Sequence, residues 1–269
     1  MPGSEPDLVS VANLVRNIGD QYLGGGQPGV EDTSRKDDGS LVTLIDTAIQ
    51  TDLQLSLGKW HPEIPLLGEE MSHLQHCDVI QSSSGCFWVL DPLDGTTNYV
   101  AGFPFYGVSL ALIKDFRPYL AIVYDPVRKE LFTAERNKGA CLNGEKLVVG
   151  TQTEIGECVA NVDYKRLTRE LAHRLVLSPP YRSQRNLGAC VLEWCWLAAD
   201  RFQIYLHGGQ KLWDYAAGLL ILEEAGGLAL TFDGESIDCS GLGKKSVIAA
   251  ANSRLQKHWV SWLDNAMRY

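Results

Sequence analysis

The chain has 269 residues, enough for one large or two medium domains with a substantial core. Hydrophobic residues make up 45% and charged residues 21%, an ordinary globular balance, and 24 basic against 33 acidic side chains give a net charge of −9. Such acidity argues against a general nucleic-acid or anionic-membrane binder, because phosphate-rich partners are repelled at long range. An anionic substrate would therefore need a local cation, either clustered Lys and Arg or a metal.

Apolar positions at helical spacing predict a helix over Leu8–Leu23, which the glycines Gly24, Gly25 and Gly26 end. Leu41–Ile45 reads as a short strand and Asp46–Leu57 as a helix. Ile64–Leu67 is strand-like and runs into Gly68-Glu69-Glu70. His73, His76 and Cys77 read as the polar surface end of a helix rather than a metal site, since no fourth ligand is near in sequence. The continuous apolar run Cys86–Leu90 predicts a strand buried on both faces. Strand signals at Gly107–Ile113, Tyr119–Tyr124 and Glu130–Ala134, with turns at Asp115–Pro118 and Asp125–Lys129, read as a meander.

A soft boundary near residue 150 separates an N-terminal α+β region (1–150) from a C-terminal α/β region (151–269). The second region predicts a strand at Cys158–Val162, helices at Arg166–Val176 and Gly188–Ala199, and a strand at Phe202–Leu206. A helix at Trp213–Ala225, a strand at Val247–Ala250 and a helix from Ser253 complete it. Gly241-Leu242-Gly243-Lys244-Lys245-Ser246 lacks the glycine spacing of a P-loop and reads as a loop before the last strand. The seven cysteines form no CxxC pair, as expected of free thiols in a reducing cytoplasm. No apolar run approaches the ~20 residues that span a bilayer, and no membrane association is expected.

The chemistry concentrates after the Cys86–Leu90 strand, in Asp91-Pro92-Leu93-Asp94-Gly95-Thr96-Thr97-Asn98. Pro92 forbids simple continuation of a ladder, so a turn there is expected to leave the Leu93 carbonyl pointing outward. Gly95 allows close backbone approach, and the N–H groups of Gly95, Thr96 and Thr97 can face an anion. Two carboxylates, a bare carbonyl and a nest of donors suit a hard cation bridged to a phosphate. The same residues also make ordinary turns, and Asp214 alone could simply cap a helix. Two carboxylates about 4 Å apart repel by roughly 4 kcal/mol at an effective dielectric of about 20, so convergence of these acids would call for bound cations.

The run Trp88-Val89-Leu90-Asp91-Pro92-Leu93-Asp94-Gly95-Thr96-Thr97-Asn98-Tyr99 resembles the inositol monophosphatase family. So do Gly68-Glu69-Glu70 before it and Trp213-Asp214-Tyr215-Ala216-Ala217-Gly218 after it. Lys36, Leu41–Asp46, Phe103–Phe105, Asn143-Gly144 and Glu224–Gly227 extend the likeness over nearly the whole chain. The resemblance implies a layered αβαβα sugar-phosphatase fold, with a mixed sheet in the N-terminal half and a second sheet with helices in the C-terminal half. It implies a Mg²⁺-dependent, lithium-sensitive phosphatase with two to three ions per site, and a homodimer. Carried over by position, Glu69, Asp91 and the Leu93 carbonyl would hold one ion and Asp91, Asp94 and Asp214 a second, a third leaning on Glu69. Thr96 would position the attacking water and Asp46 would accept the hydroxyl proton, with Glu69 completing the catalytic set. Gly95 and Thr96 would hold the phosphate, and Cys190, His207 and Asp214 would meet the rest of the substrate.

The substrate expected is a small phosphorylated polyol, sugar or nucleotide, with inositol 1-phosphate foremost. Fructose 1,6-bisphosphate and the 3′-phosphate of adenosine bisphosphates are alternatives, as is a regulatory binding role on the same fold. His207 stands where many inositol phosphatases carry a glutamate that touches ring hydroxyls, which weakens the inositol assignment. An aspartyl-phosphate mechanism fits poorly, because two residues rather than one separate Asp91 from Asp94.

Overall fold

A computed structural model describes residues 5–24, 33–35 and 41–267; Gly25, Gly26 and Lys36 lie outside them. α1 (Leu8–Leu23) opens at Asp7, which accepts the Ser10 amide at 2.8 Å, and buries Val11, Ala12, Val15 and Ile18. A short antiparallel pair, β1 (Thr33–Arg35) and β2 (Leu41–Thr43), leads into α2 (Leu44–Trp60). The helix starts two residues earlier than the apolar run Leu41–Ile45 suggests. The reason is a capping box: Thr43 caps the helix and the Asp46 carboxylate returns to the Thr43 amide.

The larger sheet has seven strands adjacent in chain order. They are β3 (Leu66–Gly68), β4 (Phe87–Asp94), β5 (Gly107–Lys114), β6 (Arg117–Asp125), β7 (Glu130–Glu135), β8 (Gly139–Leu142) and β9 (Glu145–Leu147). Only β3 and β4 pair in parallel, and α3 (His73–Ser82) makes that crossover. The expected meander is β5 to β7. A short helix, α4 (Thr96–Ala101), follows β4. The smaller sheet is built from β10 (Val159–Asp163), β11 (Ser183–Arg185), β12 (Ile204–Gln210), β13 (Leu228–Leu230) and β14 (Lys245–Ala250), in the order β11-β10-β12-β14-β13. Its helices are α5 (Arg169–Leu177), α6 (Cys190–Ala198), α7 (Leu212–Ala225) and α8 (Ser253–Met267).

Strand alternation sorts these elements into layers. Trp88 and Leu90 of β4 share a core with Val11, Val15, Ile49 and Leu53 of α1 and α2. Phe87 and Val89 face the other way, into a core with Trp194 of α6 and Leu219 of α7. Tyr205 and Val247 close that same core from the smaller sheet, whose opposite face packs Val162, Leu206 and Ile248 on Leu171, Leu255 and Trp259 of α5 and α8. The order is therefore helix, sheet, helix, sheet, helix, the five-layered αβαβα arrangement. α7 is apolar on nearly every side because it fills the middle layer, buried between two sheets. Among the described residues no helix is long and apolar enough to cross a membrane.

Two local expectations need correction. β4 does not end at Leu90 but runs through Pro92 to Asp94. His76 is not a surface residue: it is 6% exposed, its Nε2 lies 2.7 Å from the Gly68 carbonyl and its ring packs on Trp213. The polar neighbours of His76 hid the one helix face that turns inward.

Candidate active site

Asp91 pairs across the ladder with Ser109, and Asp94 with Gly107, so β4 carries one more residue than β5 between these pairs. In an unbroken strand, residues three apart point to opposite faces; this bulge turns Asp91 and Asp94 toward the same cavity. Pro92, with no N–H to offer the ladder, is at home in such a bulge. The Leu93 amide donates to Asp91 Oδ1 at 3.1 Å, and the Leu93 carbonyl accepts the Thr96 hydroxyl at 2.9 Å.

Asp94 and Asp214 are anchored in the same way. The Val191 amide at the start of α6 donates to Asp94 Oδ2 at 2.7 Å, and the Lys211 amide donates to Asp214 Oδ2 at 2.8 Å. Each of the three carboxylates thus spends one oxygen on a backbone N–H and keeps the other for the cavity. Glu69 reaches the same cavity from the end of β3, where its amide donates to the Leu90 carbonyl. Burial pushes the Asp91 and Asp94 carboxyls well above the usual range, and their acidic neighbours push further, Glu69 foremost on Asp91 and Asp214 on Asp94. Burial and then Glu69 lift Asp214 to about 6. Among the described residues no three His, Cys, Asp or Glu side chains stand at closed ligand spacing. The match to a cation is therefore one of chemistry: hard oxygen donors, enclosed and mutually repelling, with a carbonyl beside them.

Thr96 Oγ1 also lies 3.3 Å from Asp46 Oδ1. Asp46 is buried just behind the cavity, where Thr43 donates to its other oxygen through both its amide at 2.8 Å and its hydroxyl at 2.5 Å. Burial raises the Asp46 carboxyl despite these donors, and Glu69 adds to the shift. Gly95 takes φ 86°, a left-handed conformation that starts α4; a side chain there would meet Ala189 and the Phe105 carbonyl at 3.0 Å.

The far wall comes from the smaller sheet. Cys190 opens α6 within the cavity, and burial raises its thiol well above the usual range, so it is no thiolate nucleophile. His207 is buried with both ring nitrogens engaged. The Gly209 amide donates to Nδ1 at 3.1 Å, which leaves the proton on Nε2, 3.2 Å from Asp163 Oδ2. The register pairs Asp163 with His207 directly across β10 and β12. Burial acts upward on the Asp163 carboxyl, but His207, the Lys165 amide and Arg166 together outweigh it and hold that carboxyl below the usual range.

The residues meet around one cavity of about 570 Å³. Glu69, Asp91, Leu93, Asp94, Gly95, Thr96, Cys190, His207 and Asp214 line it, with Asp46 reached through Thr96. The sequence reading did not single out Asp163, Asn98 or Glu193. Asn98 donates to the Phe105 and Leu187 carbonyls at 2.7 and 2.8 Å, tying α4 to the loop before α6. Glu193, 2% exposed, accepts the Leu187 and Gly188 amides and the Tyr205 hydroxyl. An acid inside the apolar stretch of α6 was the one available signal for it.

The model of the inositol monophosphatase family matches residues 9–268. Inositol monophosphatase 1 of Solanum lycopersicum is 34% identical over 241 residues, covering 83% of this chain and 82% of its own. The protein named Nus factor SuhB of Xylella fastidiosa is 35% identical over 195 residues, 71% of this chain and 68% of its own. A solved IMPase/NADP phosphatase, complexed with Mg²⁺ and phosphate, superposes with a TM-score of 0.80 at 27% identity, covering 95% of this chain and 93% of that one. The chain belongs to the inositol monophosphatase family.

Proposed function

We propose that the protein is a Mg²⁺-dependent phosphoric monoester hydrolase that transfers a phosphoryl group directly to water, with inositol 1-phosphate among its substrates. One observation carries the reading. Three enclosed carboxylates, each tethered by one oxygen to a backbone amide, face one cavity beside Thr96. Glu69, Asp91 and the Leu93 carbonyl would hold one Mg²⁺, Asp91, Asp94 and Asp214 a second, and Glu69 a weaker third. Bound there, Mg²⁺ supplies hydroxide near neutral pH and neutralises charge on the transferring phosphoryl group.

The protein's own groups do the positioning. Asp46, fixed by Thr43, accepts the Thr96 hydroxyl proton, so that a lone pair of Thr96 Oγ1 faces and orients the attacking water. The Gly95 and Thr96 amides hold the phosphate. No side-chain nucleophile is needed, and the neutral Cys190 thiol is unsuited to be one. Phosphate release from inositol 1-phosphate, measured with Mg²⁺ and with a chelator, tests the reading. It should require the metal and fall more than tenfold in Asp91→Asn; tenfold is only ~1.4 kcal/mol of barrier, little for a core ligand. Family membership extends the proposal to a homodimer in the cytoplasm, tested by sedimentation and cell fractionation.

The name of the Xylella fastidiosa relative favours a second role, as a binding factor. Affinity capture from lysate with and without Mg²⁺, beside the phosphatase assay, separates the two roles.

A further inference from the structure

Cations gather on one side of the cavity. The carboxylates at the ends of β3 and β4 and the start of α7 line its floor with Lys211 beside them, whereas the exposed Lys165, Arg166 and Lys244 stand on its lip against the smaller sheet, outnumbering the one acid among them, Asp163. In a chain of net charge −9 this is a local reversal of sign.

The lip packs against two glycines in β12, of which Gly208 is required by the close approach. A side chain on Gly208 would come within 1.6 Å of the Arg166 carbonyl, so only glycine lets the 3₁₀ turn Tyr164–Arg166 rest against this strand. A side chain on Gly209 would contact the aliphatic stem of Lys244 at 3.6 Å. The turn is held from below as well, because Asp163 Oδ1 accepts the Lys165 amide at 2.9 Å. Lys165 and Lys244 have no ion pair with any described residue, and Arg166 is met only by Asp163, at 3.9 Å. His207 lies between these cations with its one acceptor nitrogen committed to Gly209. The wall thus presents net positive charge to a substrate, and its one carboxylate, Asp163, already accepts from the Lys165 amide and His207.

We propose that this lip is a second anion subsite, and that the preferred substrates are small metabolites carrying two phosphate groups, one cleaved at the floor and the other held by Lys165, Arg166 and Lys244. The proposal rests on the reading of the floor as a phosphomonoester hydrolase site. The second phosphate would be gripped by charge-assisted hydrogen bonds from mobile side chains at a partly wet rim. Such contacts bind ground state and transition state alike, so they act chiefly on KM.

The test compares two sugars that differ only by that group, fructose 1-phosphate and fructose 1,6-bisphosphate, in wild type and in the double variant Lys165→Ala/Lys244→Ala. Both lysines are exposed, so their removal should not disturb the fold. In wild type kcat/KM should favour the bisphosphate by at least tenfold, mainly through KM, and added salt should shrink that preference. In the double variant the ratio should fall at least fivefold. A wild-type preference for the monophosphate, or a ratio unmoved by the double substitution, overturns the subsite while the hydrolase reading stands. Absence of Mg²⁺-dependent phosphate release from both sugars in an enzyme that hydrolyses inositol 1-phosphate overturns the subsite alone; absence from all three substrates overturns the hydrolase reading, and the subsite with it.

Discussion

Thr96 Oγ1 lies between two acceptors, 2.9 Å from the Leu93 carbonyl and 3.3 Å from the Asp46 carboxylate fifty residues earlier in the chain. One hydroxyl hydrogen cannot serve both fully. When it points to Asp46, the oxygen lone pairs are free to orient a water. Thr96→Ala should therefore lower kcat by on the order of 10²-fold, with KM changed far less, and Thr96→Ser should recover much of the loss. Steady-state kinetics of the two variants checks this, and a Thr96→Ala enzyme of near wild-type kcat would remove Thr96 from the chemistry.

Asp214 gives a prediction with a definite sign. Without metal its folded carboxyl titrates near pH 6, whereas an unfolded aspartate titrates near pH 4. Between those values the folded state holds the extra proton, so this group's contribution is present at low pH and is lost as pH rises through about 6. Asp214→Asn removes that loss and can keep the bond from the Lys211 amide. The metal-free melting temperature of the variant, relative to wild type, should rise between about pH 4 and about pH 7. Added Mg²⁺ should stabilise wild type at neutral pH but barely affect the variant, whose turnover should be lost. A difference that is flat with pH would show that the carboxyl is not held protonated by burial and by Glu69.

Substitution of His207 should have a structural consequence rather than the gain in inositol selectivity that the sequence suggests. A carboxylate at 207 would face Asp163 directly across the two strands. Two such charges about 4 Å apart repel by roughly 4 kcal/mol at an effective dielectric of about 20. His207→Glu should lower the melting temperature, and adding Asp163→Asn should restore most of it. Unchanged melting together with a raised preference for inositol 1-phosphate would mean that the residue faces the substrate instead.

Glu193 fixes the loop that delivers Cys190 and the Val191 amide to the site. Its carboxylate accepts two backbone N–H groups, at 3.1 and 2.9 Å, and the Tyr205 hydroxyl at 2.7 Å. Glu193→Ala leaves the buried Tyr205 hydroxyl without its acceptor and releases the half-buried Leu187 and exposed Gly188 amides to water, so it should cost about 1–3 kcal/mol in urea unfolding, and Glu193→Gln distinctly less. Equal, small losses in both variants would show that the loop is held by other contacts.

The layered fold and the floor of the site were legible because both are written locally. Buried runs such as Cys86–Leu90, each strand of the meander, and the string from Asp91 to Asn98 announce themselves within a dozen residues. What was not legible depends on register or on distant pairing. The bulge at Pro92 is set by where β5 pairs, and the Asp163–His207 contact by the alignment of β10 with β12. The local pattern makes Asp46 the start of a helix, whereas Thr43 caps that helix and its amide holds the Asp46 carboxylate; the Asp46–Thr96 contact is implied by the family resemblance and by nothing in the local pattern. Lys244 sat in a loop whose glycines suggested nothing more than a connection; only the strand beside it shows where its side chain lies.

The most direct test of the central claim is the stereochemical course of hydrolysis, with substrate phosphate made chiral by isotopic labelling and Mg²⁺ as the sole added metal. Direct attack by water, oriented by Thr96 and Asp46, predicts inversion at phosphorus, with no turnover when the metal is withheld. Retention of configuration, the mark of a phosphorylated side chain such as Asp91, would contradict it, as would hydrolysis that proceeds undiminished in chelator.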